Sequence, residues 1–199
     1  MGLTCDTNAQ TQLGASPNNP PAQFRDTSVL KPPPGADVAV LEWEDLECPA
    51  CAQAFPIIHS AVASAGVQLI ERDLLIRDHI WSSAAARYAR YLNDKVSSSL
   101  AIQYRREVFA SQSNLASRED LESFTQAFFQ RAGIHIPSVL DPDGQIQKEI
   151  DLDIELAKKL GVRHTPTIVV VTHAHWIQVL DPTLIGEAIA EAKREVQRK

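Results

Sequence analysis

The chain has 199 residues, of which 44% are hydrophobic and 22% are charged, and its net charge is −6 at pH 7. This size and composition fit one globular domain, or one domain with an insertion, and exclude a disulfide scaffold because only three cysteines are present. The acidic balance argues against a nucleic-acid partner, and no apolar run approaches the roughly 18 residues that a membrane span needs.

Residues 1–36 have the composition of a flexible linker or tail. Asn, Gln, Thr and Pro dominate, and the stretch includes Pro32-Pro33-Pro34-Gly35, which favours extended or disordered chain. Met1–Ala15 lacks the basic and apolar regions of a secretory signal. The sequence therefore fits either a cytoplasmic protein or an exported one whose signal has been removed.

Regular structure is predicted from residue 37 onward, in three blocks. Residues 37–77 predict strand, helix and strand from their apolar patterns: Val38–Trp43, Pro49–Ala65 and Val67–Leu75. Residues 78–161 carry apolar side chains at helical spacing and predict four helices: Ile80–Leu92, Val96–Ser111, Arg118–Ala132 and Ile146–Leu160. Residues 162–199 predict two strands, Thr167–Val171 and Trp176–Leu180, and then an amphipathic helix that begins at Asp181-Pro182.

The motif with evident chemistry is Cys48-Pro49-Ala50-Cys51, between the first predicted strand and the first predicted helix. There the Cys48 sulfur lies at a helix N-terminus, where free backbone N–H groups and the helix dipole favour a thiolate. A redox dithiol needs that thiolate as its attacking and leaving group. The alternative, half of a zinc site, needs two more ligands, and the remaining cysteine, Cys5, lies in the predicted tail.

Four motifs in the same order resemble the DsbA-like thiol–disulfide oxidoreductases, a branch of the thioredoxin superfamily with a helical insertion. They are the C-P-x-C dithiol, Glu42 six residues before Cys48, Pro56 eight residues after it, and the segment Gly161–Thr167. The resemblance covers residues 37–197. It implies an α/β protein with a mixed sheet, namely a thioredoxin fold whose two halves flank an inserted helical domain.

The resemblance also implies a role for the residues around the dithiol. Cys48 would be an exposed nucleophile and Cys51 a buried resolving thiol, and together they would form a redox-active disulfide with no other cofactor and no metal. Pro49 would stiffen the loop. Glu42 would be a buried carboxylate whose pKa is raised by desolvation and which accepts a proton from Cys51 through water; the alternative is a solvated strand residue.

The segment before Pro166 would form the opposite wall of the site. The resemblance implies a cis Thr165–Pro166 bond, which exposes the Thr165 backbone to an extended substrate and keeps metal away from the sulfurs. His164 stands where family members often have Gly, and with Arg163 it would bring positive charge towards Cys48. Thr165, His164 and Pro49 are therefore the predicted substrate-binding positions.

Two departures from the family pattern bear on the redox chemistry. Ala50 replaces the polar residue that many members carry between the proline and the second cysteine. Glu44, Asp45 and Glu47 are expected to crowd Cys48 and raise its pKa, unless they form a solvated rim. We therefore expect a thiolate less stabilised than in the strongest oxidants, and a moderate potential.

The expected function is exchange of the Cys48–Cys51 disulfide with cysteines of unfolded or partly folded exported proteins. The resemblance further implies reoxidation by a quinone-linked membrane partner and an extracytoplasmic location, in the periplasm or at the outer face of a membrane. Tethering through a lipid on Cys5 is a weaker alternative, because Gly2-Leu3-Thr4-Cys5 is a poor lipobox. Three other functions stay open: a disulfide reductase or isomerase, a metal-handling protein, and a peptide-binding or chaperone module.

Overall fold

The computed structural model describes residues 27–198. Its strands and helices, in chain order, are β1 (Val38–Glu44), α1 (Pro49–Ala65), β2 (Gln68–Asp73), α2 (Ser82–Lys95), α3 (Ser98–Ser111), α4 (Arg118–Arg131), α5 (Gln145–Leu160), β3 (Thr167–Thr172), β4 (Trp176–Val179) and α6 (Ile185–Gln197). None of the helices within residues 27–198 is both long and apolar enough to cross a membrane. The predictions about residues 1–26, including lipid attachment at Cys5, lie outside the described residues.

The sheet has four strands in the order β2-β1-β3-β4. Strand β1 pairs in parallel with β2 and antiparallel with β3, and β3 pairs antiparallel with β4. All seven residues of β1 are buried, because helices cover both faces of the sheet. This topology, with a helical block between β2 and β3, is the predicted thioredoxin fold with a helical insertion.

Alternation along the strands divides the core into two layers. Val40 and Val170 pack with α1 and α6 on one face. Trp43 and Val169 pack with Leu160 of α5 on the other face. Since Glu42 and Glu44 follow Val40 at intervals of two, their side chains point to the α1 face of the sheet.

The inserted helices share their core with the dithiol. The fully buried aromatic side chains Trp81, Tyr104, Phe128 and Phe129 lie in the same apolar cluster as Cys48, Cys51 and Phe55. The polar ends of two of these rings are satisfied, since Trp81 Nε1 donates to the Leu115 carbonyl (2.9 Å) and the Tyr104 hydroxyl lies 2.8 Å from that of Thr125. The insertion thus forms one side of the environment of the cysteines.

Apart from shifts of one to three residues at most helix and strand ends, two features differ from the sequence-based expectation. The described part of the predicted tail packs on the domain: Thr27–Val29 form a 3₁₀ turn, and Leu30 is buried against Trp43 and the α5 side of the sheet. The last helix does not begin at Pro182, which instead opens a 3₁₀ turn, Pro182–Leu184. The Asp181 carboxylate accepts the Thr183 N–H (2.9 Å) and so holds that turn ahead of α6.

Candidate active site

Cys48 and Cys51 are placed by the start of α1. Cys48 is the N-cap residue with an extended backbone (φ −79°, ψ 119°), and Pro49 occupies the first helical position, where its missing N–H costs no hydrogen bond. Both cysteines are free thiols, and Cys51, one turn into α1, is fully buried. Cys48 is only 8% exposed, so the prediction that it is exposed is wrong.

The two thiols have opposite acidities. The pKa of Cys48 is lowered from 9.0 to about 5, chiefly by a hydrogen bond from Cys51, with further hydrogen bonds from the Thr165 side chain and the N–H groups of Cys51 and Ala50, against the opposing effect of burial. Burial raises the pKa of Cys51 far above its ordinary value, and the hydrogen bond from Cys51 to Cys48 and the charge of Glu44 raise it further. The Cys48 thiolate is therefore stabilised, but less than in the strongest oxidants, where the thiol pKa falls to about 3.5, as the sequence-based expectation had it.

The acidic residues before Cys48 do not crowd its sulfur. Glu44 and Asp45 are buried. Asp45 accepts the N–H groups of Glu47 and Ile76, both at 2.8 Å, and pairs with His79 at 3.0 Å. Glu44 and Asp45 therefore neither crowd Cys48 nor form a solvated rim, because their carboxylates point into the protein.

Glu47 is hydrogen-bonded to the start of α2. Its carboxylate accepts the backbone N–H groups of Ile80 (3.0 Å), Trp81 (2.6 Å) and Ser82 (2.9 Å). These are free donors at the start of α2, where the helix dipole favours a negative charge. Glu47 therefore joins the active-site loop to the first inserted helix.

The segment before β3 faces the dithiol. The Thr165–Pro166 peptide bond is cis, the isomer that the resemblance implied. The Cys48 Sγ lies 3.4 Å from the Thr165 carbonyl oxygen, to which the thiol donates. Beside this contact is a groove of about 420 Å³ between α1, the Pro166 loop and β4, and His164, Thr165 and Pro166 line it together with Ala50. Pro49 is exposed next to the groove and is not among its lining residues.

Glu42 has the buried environment that the resemblance implied. It is fully buried, and among the described residues neither carboxylate oxygen has a hydrogen-bond partner. Burial raises its pKa well above the ordinary value, and the neighbouring charges of Glu44 and Glu71 raise it further, while Arg105 opposes them. A role for Glu42 in proton transfer from Cys51 stays a prediction.

Glu44 and three charged residues that the sequence did not single out, Glu71, Asp73 and Arg105, complete this buried region. Arg105 of α3 lies 2.5 Å from Glu44, 3.2 Å from Asp73 and 3.8 Å from Glu71. Burial raises the pKa of Glu44 to about 8 although Arg105 opposes the shift. The i, i+2 spacing of Glu44 from Glu42 could have predicted its face. No such pattern predicts that Glu71, Asp73 and Arg105 lie beside Glu44, because their positions depend on strand register and on how the insertion packs.

The described residues offer the dithiol little help in binding a metal. Among residues 27–198, no group of three or more His, Cys, Asp or Glu side chains is placed to hold a metal ion. His173 and His175 lie at the turn between β3 and β4. A metal-handling function would therefore have to rely on ligands from elsewhere.

Comparison with known proteins agrees with this architecture. A family model described as Thioredoxin matches residues 31–180, and no curated protein sequence matches. Similar solved structures include alpha-DsbA2 of Wolbachia pipientis (17% identity, TM-score 0.63, covering 81% of this chain and 84% of that one). Another is ScsC of Proteus mirabilis (14% identity, TM-score 0.62, covering 83% of this chain and 72% of that one). A third is DsbA2 of Pseudomonas aeruginosa (21% identity, TM-score 0.60, covering 84% of this chain and 91% of that one). Because the matched segment spans well over half of the chain and contains both the dithiol and Pro166, the chain belongs to the thioredoxin family and has a DsbA-like fold.

Proposed function

We propose that the protein is a thiol–disulfide oxidoreductase of DsbA type that oxidises cysteines of unfolded or partly folded exported proteins. The observation that carries this proposal is the pair of thiols at the start of α1 with opposite acidities. The Cys48 pKa is lowered to about 5, whereas burial raises that of Cys51. Cys48 is therefore a good leaving group at neutral pH, and Cys51 returns to the protonated state once it is released.

The reaction proceeds by two thiol–disulfide exchanges. In the oxidised protein, a substrate thiolate attacks the Cys48 sulfur, the Cys48–Cys51 bond breaks, and Cys51 leaves as a thiolate that takes up a proton. A second substrate thiolate then attacks the substrate sulfur of the mixed disulfide, and Cys48 leaves as a thiolate. Two electrons have passed from the substrate dithiol to the protein. We propose that a membrane protein linked to a quinone accepts them and restores the disulfide.

The acidity of Cys48 supports the oxidising direction. A dithiol whose reduced form is stabilised is a stronger oxidant, because reduction by substrate becomes more favourable. The sequence-based expectation was a moderate potential, which rested on Ala50 in place of a polar residue and on three acidic residues near Cys48, two of which, Glu44 and Asp45, are buried away from it. We expect a reduction potential above about −180 mV, more oxidising than protein disulfide isomerase.

The groove beside Pro166 suits an extended, unfolded substrate. Thr165 has its backbone next to Cys48 and can pair with a peptide strand. Ile57 and Leu180 line the same groove, and Leu180 is 62% exposed. An apolar segment, exposed only before a substrate has folded, would cover these side chains. Such substrates and stable disulfides occur in oxidising compartments, and we therefore propose an extracytoplasmic location.

An oxidation assay, supported by a reduction potential and a metal analysis, separates this proposal from its alternatives. The oxidised protein is mixed with a reduced, unfolded protein that has native disulfides, and disulfide formation is followed for the wild type, Cys48→Ser and Cys51→Ser. The proposal requires oxidation by the wild type only, with a potential in the stated range against glutathione. A potential near that of thioredoxin, about −270 mV, would favour a reductase. If the double Cys→Ser variant protected the same unfolded protein from aggregation as well as the wild type did, while neither oxidised it, a chaperone would be favoured. A stoichiometric metal in the purified protein would favour a metal-handling role.

A further inference from the structure

The insertion contacts the active-site loop through the side chain of Gln112. Its amide nitrogen, Nε2, donates to the carbonyl oxygens of Leu46 (2.8 Å) and Cys48 (3.1 Å). One amide group thus bridges two backbone carbonyls on either side of Glu47, although Gln112 lies 64 residues after Cys48 in the sequence. The loop that carries the nucleophile is therefore held directly by the inserted domain.

Gln112 is itself held in place by the core of the insertion. It lies where α3 passes into a 3₁₀ turn, Gln112–Asn114. Its backbone N–H donates to the Phe109 carbonyl, and its own carbonyl accepts the N–H of Leu115 (3.1 Å). Phe109 and Leu115 are buried in the apolar cluster that contains both cysteines. The Gln112 side chain therefore extends from a fixed point, as a group that positions another must.

The two carbonyls have little that could replace the amide. Leu46 is buried, at 1% exposure, so bulk water cannot reach its carbonyl. The Cys48 carbonyl also accepts the N–H of Ala52 (3.1 Å), the first hydrogen bond of α1, and Gln112 occupies its second acceptor position. Loss of the amide would leave a buried acceptor at Leu46 and would release one of the two bonds that fix the Cys48 carbonyl.

The orientation of the Cys48 carbonyl matters for the thiolate. One backbone angle, ψ of Cys48 (119°), sets both the direction of that carbonyl and the position of the sulfur relative to the first turn of α1. The N–H groups of Ala50 and Cys51 in that turn donate to the Cys48 sulfur. Because hydrogen bonds weaken steeply as their angle departs from linear, these donors stabilise the thiolate only while the loop keeps this geometry. Ala50 has no polar side chain that could take over.

We propose that Gln112 is a positioning residue for the exchange reaction, whose amide holds the active-site loop so that the Cys48 sulfur faces its donors at the start of α1. The inference rests on the proposed function and adds to it a residue of the inserted domain. Gln112 acts through the backbone of the loop, and no proton or electron passes through it. Since Glu47 joins the same loop to the start of α2, the insertion holds the nucleophile at two points.

The test measures the pH dependence of Cys48 alkylation in the reduced protein. Gln112→Met keeps the length of the side chain and Gln112→Leu does not, but both lack the N–H donor. A shift that the two variants share therefore reports the lost hydrogen bonds and not a change in packing. The matched control is Gln103→Met, because Gln103 also belongs to α3 and its amide donates to the Glu107 carboxylate (2.9 Å) at the surface. Urea denaturation of each variant measures its stability separately.

We expect both Gln112 variants to raise the midpoint of alkylation by about half a pH unit. The shift should stay below a full unit, because a neutral hydrogen bond usually contributes less free energy than one unit of pKa and Ala52 still holds the Cys48 carbonyl. Half a unit is a roughly threefold loss of thiolate stabilisation, which makes the potential about 15 mV less oxidising, since a tenfold change corresponds to about 30 mV. Gln103→Met should keep the wild-type midpoint and potential.

The outcomes separate this role from the proposed function. A merely structural Gln112 would lower the stability of both variants and leave their midpoints at the wild-type value, which would refute the positioning role while leaving exchange at Cys48 intact. A shift in only one of the two variants, or an equal shift in Gln103→Met, would also refute it. If one Gln112 variant does not fold, the midpoint of the other decides. A wild-type midpoint near the ordinary 9.0 would instead refute the acidity on which the proposed function depends.

Discussion

The first prediction concerns Arg105, whose removal should strongly destabilise the protein. The side chain is buried and within ion-pair distance of three carboxylates: Glu44 at 2.5 Å, Asp73 at 3.2 Å and Glu71 at 3.8 Å. In Arg105→Met the aliphatic part is retained but the positive charge is lost. Asp73 keeps Arg90 and Glu71 keeps His59 as partners, but both carboxylates lose the Arg105 charge that holds their pKa values below the ordinary range.

The size of the effect follows from leaving buried charge without its partner. Removing one member of a buried ion pair costs about 3–5 kcal/mol, a large share of the roughly 5–15 kcal/mol by which domains are stable. For a chain of this size, each 1 kcal/mol lowers the melting temperature by about 2–4 °C. The loss should be smaller near pH 5 than near pH 7.5, because the carboxylates can then take up protons in place of the lost charge.

Urea denaturation of the reduced protein at both pH values measures this loss. The matched control is Arg131→Met, which removes an arginine whose side chain is 58% exposed and pairs with Glu107 at 2.7 Å. An exposed pair contributes at most about 1 kcal/mol. The reasoning would be refuted if Arg105→Met cost no more than the control, or if its cost did not depend on pH.

Three further predictions test the environment of the dithiol. Alkylation of the reduced protein should label Cys48 long before Cys51, with a pH midpoint of about 5; a midpoint near 9.0 would contradict the assigned acidity. Glu47→Ala should cost about 1–3 kcal/mol in urea denaturation, because three N–H groups of α2 lose a charged acceptor. Because the pKa of Glu44 is raised from 4.5 to about 8, the folded state binds extra proton between these values and loses stability as pH rises. Glu44→Gln should therefore gain stability relative to wild type from about pH 5 to about pH 8, and a constant difference would contradict this.

Most of the fold could be predicted from local patterns. The helix Pro49–Ala65 was predicted at the bounds that α1 has, because Pro49 marks its start and Gly66 its end. Gly66 adopts the left-handed conformation (φ 60°) in which its N–H closes the helix. Strand β1 was visible as an apolar run before the dithiol. The folded part of the chain begins before residue 37, since burial of Leu30 depends on a pocket made by distant residues, which composition does not reveal.

The acidic residues before Cys48 could not be placed in the same way. Only three residues separate Glu44 from Cys48 in the sequence, and that proximity suggested a repulsive effect on the thiolate. Glu44 follows the alternation of β1 into the core, whereas Glu47 binds donors at the start of α2, more than 30 residues further along the chain. Sequence proximity suggested that these carboxylates set the pKa of Cys48, whereas hydrogen bonds from Cys51 and Thr165 lower it.

The role of the insertion follows from where its charges lie. Arg105 belongs to α3, yet its guanidinium contacts carboxylates on both β1 and β2 beneath the active-site helix. Four carboxylates packed on one sheet face would repel one another without a buried cation, and the described thioredoxin core supplies none in contact with Glu44. The helical insertion therefore supplies the charge that makes the acidic cluster compatible with folding. An acidic face beneath the dithiol and an arginine at this position of α3 depend on each other, although 61 residues separate Glu44 from Arg105.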